Sequence, residues 1–533
     1  MSLAARPAWP ISRSATRRVT ALIAAALVCR ATHAAEPAGV APGSGVSRAN
    51  NLLIVSEDNG PELGCYGDPF VRTPHLDRLA ADGVRFDRAF VAQAGCSPSR
   101  ASFLTGLYPH QHGQVGLATW GFRMLADDIP NVARSLRDAG YRTGLVGKLH
   151  VNPEEAFPFD FTRMPTGNFA RKNLEEYARV AAEFFTAGDA PFFLSVNYPD
   201  AHNPWLRQVD GLPQRPLSAE EVVSLPYFGV DTPQLRQVTA DYYNCLMRLD
   251  SLVGDLLAAL AGSGKERDTL VVYIGDHGAD MLRGKRTCYE GGLRIPLLVR
   301  WPAGARAGQV RRELVSTIDL VPTFLDVAAA PPITGLPGRS LVPLLQGGQG
   351  AWRTHLFAEY HTHAAAANFY PQRCVRDDRY KLIENLLPGR ENPGVAFTFR
   401  EFDSGPAAVE AAGEEVRAAY ATMRRPPRYE LYDLQADPYE YRNLAADPAH
   451  RGTLDALSGR LADWRRETGD PLLDEEVLRR FKAEVDGVKS KRDGRDRDWQ
   501  YPSYFRRAGS LPTEVESRDA APKQPGKRKP KAA

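Results

Sequence analysis

The chain has 533 residues, 43% of them hydrophobic and 25% charged, with a formal net charge of +3. That is the composition of an ordinary globular protein long enough for more than one domain, which excludes a disordered or fibrous chain. The net charge identifies no partner, and the six cysteines are not spaced as in a disulfide-rich small domain.

Residues 1–34 read as an export signal. Arg13, Arg17 and Arg18 precede an apolar stretch from Val19 to Val28, and Thr32-His33-Ala34 offers a cleavage site before Ala35. The stretch is too short for a stable membrane anchor, so a periplasmic or secreted protein is expected. Arg17-Arg18 raises twin-arginine export, and Cys29, preceded by valine, fits a lipoprotein site poorly. Removal of the signal leaves Cys65, Cys96, Cys245, Cys288 and Cys374, expected to be free or to form at most one bridge. Residues 35–50 form a Gly/Pro/Ala/Ser linker.

From residue 51 to about 350, apolar runs alternate with helical patterns, which argues an α/β domain with a sheet covered by helices. The run 51–56 reads as a buried strand ending in Glu57-Asp58-Asn59-Gly60. Thr73 and Pro74 open a helix that carries Leu76 and Leu79 on one face and stops at Gly83. A second helix, 131–139, is terminated by Gly140. The strand 142–147 follows it and delivers Lys148 and His150. The run 192–196 leads to Asp200-Ala201-His202, a long helix runs from Thr232 toward Ala261, and the strand 269–274 ends in Gly275-Asp276-His277-Gly278. Either acidic pair alone is as compatible with a strand-end turn as with a metal. Glu57, Asp58, Asp276 and His277 at two strand ends together point to a hard divalent cation such as Ca2+.

Residues 351–475 read as a smaller domain of short strand-like pieces, including 356–358, 380–383 and 429–433, closed by a helix near 453–468. Residues 476–533 form an extension whose tail, with Lys523, Lys527, Arg528, Lys529 and Lys531 among Pro and Ala, is expected to be disordered. A flexible terminus is preferred there over a nucleic-acid role.

The most informative segment is Gly95-Cys96-Ser97-Pro98-Ser99-Arg100-Ala101-Ser102-Phe103-Leu104-Thr105-Gly106. It resembles the formylglycine-dependent sulfatases, whose signature C-x-P-S-R-x-x-x-L-T-G it matches at every specified position. The resemblance implies an alkaline-phosphatase-like α/β sandwich: a large mixed, mostly parallel sheet flanked by helices, plus a smaller C-terminal domain with a short antiparallel sheet and a helix. It implies that a maturation enzyme oxidises Cys96 to formylglycine, whose hydrated form is the nucleophile, and that one Ca2+ is held by Glu57, Asp58, Asp276 and His277. Two positions depart from the usual pattern, in which Asp stands in place of Glu57 and Asn often stands in place of His277. The sequence places Cys96 at the start of a helix, where free N–H groups and the dipole attract an anion.

The same resemblance assigns Lys148 and His150 to the sulfate and the nucleophile. His202, with Lys285 assisting, protonates the leaving atom, and His150 helps to collapse the sulfated hemiacetal. Arg100 and Lys148 compensate charge. Arg286, adjacent to Lys285, is an alternative to it. The small domain, through 370–376, 429–434, Asp437-Pro438, 443–445, 461–464 and 467–471, resembles the sulfamidase branch. That branch implies N-sulfoglucosamine at a non-reducing end as substrate, with Asp200, Arg286, His361, His363 and Arg373 as candidate sugar contacts. The alternatives are an O-sulfatase on another sulfated carbohydrate, a phosphonate or phosphate ester hydrolase of the same superfamily, and a non-catalytic sulfated-glycan binder.

Overall fold

The computed structural model describes residues 48–508. The expected export signal, most of the linker and the basic tail therefore lie outside the described residues.

Nine strands form the main sheet: β1 (Asn50–Ser56), β2 (Val84–Phe90), β3 (Arg142–Gly147), β4 (Phe161–Arg163), β5 (Phe192–Tyr198), β6 (Thr269–Gly275), β7 (Arg294–Arg300), β8 (Gln309–Arg311) and β9 (Val315–Ser316). Their order is β4-β3-β5-β1-β6-β7-β2-β8, with β9 also on β2. Strands β4, β3, β5, β1 and β6 are mutually parallel, whereas β7 runs antiparallel to both neighbours. Every residue of β1 is buried, as a strand covered on both faces requires. Its alternation feeds two cores. Leu53 and Val55 join Phe193, Val272 and Phe324 on one side, and Leu52 and Ile54 join Leu246, Val253 and Leu256 of the long helix on the other. Burying each such side chain stabilises the fold by about 1.5–3 kcal/mol.

The expected helices are found as Pro74–Ala81, Val132–Asp138, Pro233–Gly262 and Arg451–Glu467. Asn131 and Thr232 cap two of them, accepting from Arg134 N–H and Leu235 N–H. Thr73 does not cap the first. Its hydroxyl accepts from Gly64 N–H and donates to Asp77, while Asp250 of the long helix accepts the N–H groups of His75 (3.2 Å) and Leu76 (2.8 Å). A long-range carboxylate has replaced the local cap, because it supplies two acceptor oxygens where threonine offers one hydroxyl.

A second sheet, β10 (Leu356–Tyr360), β11 (Gln372–Arg376), β12 (Tyr380–Asn385) and β13 (Tyr429–Asp433), is wholly antiparallel. The helix Arg451–Glu467 lays Leu454, Leu457, Leu461 and Trp464 against its Val375, Leu382 and Leu431. This is the α/β sandwich with a small antiparallel sheet that the resemblance implies. Beyond it, the helices Glu475–Asp486, Lys491–Asp496 and Tyr501–Arg507 are ordered additions. Trp499 and Tyr501 pack on Phe122, and Tyr501 OH donates to the carbonyls of Gly113 and Arg123. Among the described residues, no helix is long and apolar enough to cross a membrane.

Candidate active site

The carboxyl ends of β1, β5 and β6 are stitched together by their own backbones. Asp276 N–H donates to Ser56 O (2.9 Å), Glu57 N–H to Asp200 O (2.9 Å) and Ala201 N–H to Glu57 O (2.6 Å). Asp58 N–H donates to Asp276 Oδ1 at 2.9 Å. Two acidic residues 218 positions apart thereby become neighbours. Asp58 (φ 50°) and His150 (φ 62°) occupy the left-handed region, a strained choice for non-glycine residues that concentrates where side chains must be aimed.

The helix Cys96–Thr105 starts beside these strand ends, and all ten of its residues are buried. Gly106 terminates it at φ 78°, where a side chain would also press on Leu336 and Val321. Cys96 Sγ lies 3.4 Å from His277 Nε2. One turn on, Arg100 reaches Asp276 (3.1 Å), Glu57 (3.4 Å), the Lys148 carbonyl (2.9 Å) and Asn197 Oδ1 (2.9 Å). It locks helix, strands and the Lys148 turn into one frame. Gly147, at φ 85°, makes that turn possible, because a Cβ there would collide with the Asn197 carbonyl.

Four buried carboxylates and four buried cations alternate around Cys96. Lys148 pairs with Glu57 (2.7 Å), Lys285 with Asp58 (2.9 Å) and Asp280 (3.3 Å), Arg286 with Asp280, and Arg100 with Glu57 and Asp276. Burial disfavours charge on Lys285, but Asp280 and Asp58 outweigh it and raise its pKa well above the ordinary lysine value. Burial likewise opposes a charged His277, yet Asp276 and Asp58 hold its pKa up at about 9. For Asp276, burial is outweighed by His277, Arg100, Lys148 and Lys285, and its pKa is lowered.

Asp58 Oδ1 and Asp276 Oδ1 approach the same imidazole nitrogen, at 3.2 and 3.6 Å from His277 Nε2. Carboxylate oxygens and an imidazole nitrogen converging on one buried point fit a divalent cation. A proton held on His277 balances those carboxylates as a bound cation would. Asp58, Cys96 and His277 form one group with ligand atoms all within 4.8 Å, and Glu57, Cys96 and His202 form another. Glu57 and Asp58 each have both oxygens facing a cation, Arg100 and Lys148 for the first and Lys285 for the second; Asp58 and Asp276 are the carboxylates that also approach His277 Nε2.

Three histidines besides His277 lie among these charges. His202 Nδ1 sits 2.6 Å from the Asn203 carbonyl, which only accepts, so Nδ1 carries the proton and Nε2 is left for chemistry. Both ring nitrogens of His150 are buried without a hydrogen-bond partner, and burial with Lys148 and Arg100 nearby pushes its pKa well below the ordinary histidine value. His363 is held neutral in the same way by burial, Lys285 and Arg286, with Nδ1 unpartnered. Its Nδ1 faces Gly95, the residue before Cys96.

The structure separates Lys285 from Arg286. Lys285 points at Asp58, while Arg286, at φ 71°, turns to Asp280, Thr398 and the Phe397 ring. Three of the proposed sugar contacts are buried. Asp200 is fully buried, with both oxygens taken by Arg248 (2.7 and 2.8 Å) and one also by Arg171 (3.1 Å). Arg373 is fully buried, paired to Asp470 (2.7 and 2.9 Å) and Glu359 (3.3 Å). His361 is also fully buried, with its Nε2 3.5 Å from Glu359 and its ring against Phe481. Asp200 and Arg373 are engaged in ion pairs inside the protein and His361 is buried with neither ring nitrogen hydrogen-bonded, whereas Arg286 and His363, also largely buried, lie beside the Ala94-Gly95 segment that leads into Cys96.

Sequence reasoning missed Asn197, Asp280 and Arg171. A polar residue closing the apolar run of β5 and a second acid four residues after Asp276 were usable signals for the first two. Arg171 lies in an aperiodic loop and had none.

Residues 49–330 match the family model described as Sulfatase, and residues 275–388 match the model of the N-sulphoglucosamine sulphohydrolase C-terminal region. The chain is 35% identical over 466 residues to N-sulphoglucosamine sulphohydrolase of Homo sapiens, covering 79% of this chain and 91% of that protein. It is 28% identical over 469 residues to an ulvan-active sulfatase of Formosa agariphila, covering 84% and 88%. In fold it resembles the phosphonate monoester hydrolase of Agrobacterium radiobacter, with a TM-score of 0.60 at 22% identity over 79% of this chain and 96% of that one.

Proposed function

We propose, from the premise that this chain belongs to the sulfatase family of hydrolases, that it removes sulfate from a sulfated carbohydrate by cleaving the S–N bond of N-sulfoglucosamine at a non-reducing end. The observation that carries the finer reading is the 35% identity to N-sulphoglucosamine sulphohydrolase over most of both chains. The second family match supports it, since residues 275–388 include Lys285, Arg286 and His363.

Formylglycine made from Cys96 would supply a hydrated aldehyde as nucleophile, and Asp58, Asp276 and His277 with Glu57 would hold a Ca2+ that would supply positive charge for the sulfate group. The chain's own residues prepare and complete the reaction. Arg100 fixes the start of its helix against Glu57 and Asp276, while Lys148 and Lys285 place fixed positive charge where the sulfuryl group reacts. His202, anchored through Nδ1, presents Nε2 to the leaving nitrogen. Burial lowers its pKa, and an arriving sulfamate anion favours the protonated ring that the leaving nitrogen needs. His150, kept neutral, is suited to accept a proton from the nucleophile. Overall, the sulfamate and one water yield sulfate and the ammonium form of the sugar amine. The water oxygen ends on sulfur and its two hydrogens on nitrogen.

The match to an ulvan-active sulfatase favours a second reading, an O-sulfatase acting through the same residues. Ion chromatography of sulfate released from N-sulfated glucosamine and from 6-O-sulfated N-acetylglucosamine separates the two, using protein whose Cys96 conversion is verified by peptide mass. Release from the N-sulfated sugar alone is the expected result, and release from the O-sulfated sugar alone overturns the sulfamidase reading. The segment 1–34 supports export, with the periplasm as the site of action.

A further inference from the structure

Phe169 is one of five large hydrophobic residues exposed among the described residues, at 37%. Its ring stacks on the His202 imidazole, with centroids 4.0 Å apart and planes 21° apart, and the Lys148 ammonium lies 5.1 Å from the same ring. An exposed aromatic ring in a loop has no packing reason of its own to be ordered there. The order comes from Arg171, which is 1% exposed. Its guanidinium donates to the carbonyl of Phe169 and to the carbonyl of His202, and Asp200 pins it through Nε at 3.1 Å. One fork therefore ties together the backbones of the two residues whose rings stack. Asn168 closes the other side, accepting from Lys172 N–H (3.1 Å) and donating to the Lys172 carbonyl (2.8 Å). The left-handed backbone at Asn168 (φ 48°) and Arg171 (φ 49°) is what turns the chain tightly enough for this.

We infer that Phe169 is a positioning residue for the leaving-group step. Its ring, held by the Arg171 clamp, fixes the plane of His202 so that Nε2 faces the departing atom. Nδ1 is anchored at Asn203, but one hydrogen bond leaves the ring free to rock about that axis, and a stacked face removes the freedom. The inference rests on the role given to His202 above, not on which sugar is the substrate. Asp200 acquires a function here as the residue that orients Arg171.

A leaving-group comparison tests this. Phe169→Ala, Phe169→Tyr and His202→Ala are assayed on N-sulfated glucosamine, or on 6-O-sulfated N-acetylglucosamine if that is the sugar the wild type accepts. A 4-nitrophenyl sulfate ester, whose leaving group needs little protonation, runs in parallel. Phe169→Ala is expected to lower kcat on the sugar about tenfold, part of the roughly 10²–10⁴-fold that a positioned general acid contributes. KM and the aryl ester rate should each change by less than about threefold, because substrate binding and the nucleophile are untouched. Phe169→Tyr, which keeps the ring, should restore the sugar rate. Equal losses on both substrates, no loss, or failed rescue by tyrosine overturns the inference. His202→Ala separates the two levels. If it loses the sugar selectively while Phe169→Ala does not, only the role of Phe169 falls. If His202→Ala shows no selectivity, the role of His202 falls and that of Phe169 with it.

Discussion

Two regions of this protein bury dense charge, and they use it differently. In the small sheet, Glu359 accepts from His110 and lies against Arg373, which forks onto Asp470; Asp470 also meets Arg465, and Arg465 reaches Glu384. Every charge there closes on another charge of the same network. At the strand ends of the large sheet, the carboxylates, lysines and arginines are also paired, but their geometry converges on the Cys96 side chain. Buried charge by itself therefore does not mark a reactive site. The direction in which that charge points does.

The sharpest break between the regions is expected from Cys96→Ala. It should lower sulfate release by about 10⁴-fold or more, because the nucleophile is gone, while thermal unfolding stays within about 2 °C of wild type. Residual turnover near the wild-type rate would end the nucleophile assignment. Asp276→Asn should follow, with about 10²–10³-fold slower turnover and weaker Ca2+ binding in a calorimetric titration, since it removes a charge from the convergent set. Undiminished activity after exhaustive chelation of the wild type would count against the cation.

Arg373→Ala should do the reverse. It leaves Asp470 and Glu359 buried without their fork and should cost about 3–5 kcal/mol of stability in denaturant unfolding, with kcat of the folded fraction preserved. A catalytic loss without a stability loss would place Arg373 back in the substrate site.

The smallest effect concerns an acid that belongs to neither pattern. Glu62 is pushed up to about 7 by burial and by Asp68, against hydrogen bonding from Tyr242. Its folded pKa lies above the unfolded value of 4.5, so the stability it contributes is full below pH 4.5 and is lost as pH rises toward 7. Glu62→Gln should flatten that slope by on the order of 2 kcal/mol, solvent at its partly exposed edge reducing the effect. An unchanged slope in pH-dependent unfolding would show that Glu62 titrates normally.

Much of this contrast was legible in the sequence, for definite reasons. Strands buried on both faces announce themselves as apolar runs, and the acids that end them stand out because nothing else polar interrupts the run. That is how Asp58 and Asp276 are singled out, and Lys148 likewise as the first charge after its strand. The buried ion pairs of Asp200 and Arg373 were not legible, because sequence gives the residue type but not its partner. The Arg248 and Asp470 that engage them lie 48 and 97 positions away. The Thr73 cap failed for the same reason, its place taken by Asp250. Phe169 was invisible because a loop has no period to read, and the helices beyond residue 475 because their aromatic residues have meaning only against Phe122.

Those last helices bear on time as well as on packing. Cys96 is 2% exposed in the finished fold, so any other protein that acts on its side chain must do so before the chain closes over it. The segment just beyond its helix is held by Tyr501, 388 positions downstream of Gly113. At the roughly 5–20 residues per second of synthesis, that separation is about 20–80 s during which the nascent chain lacks its final clasp. Because synthesis runs from the N-terminus, residue 96 emerges well before Asp276 and His277, which lie against its helix in the finished fold, and that leaves an interval in which it is open to another enzyme.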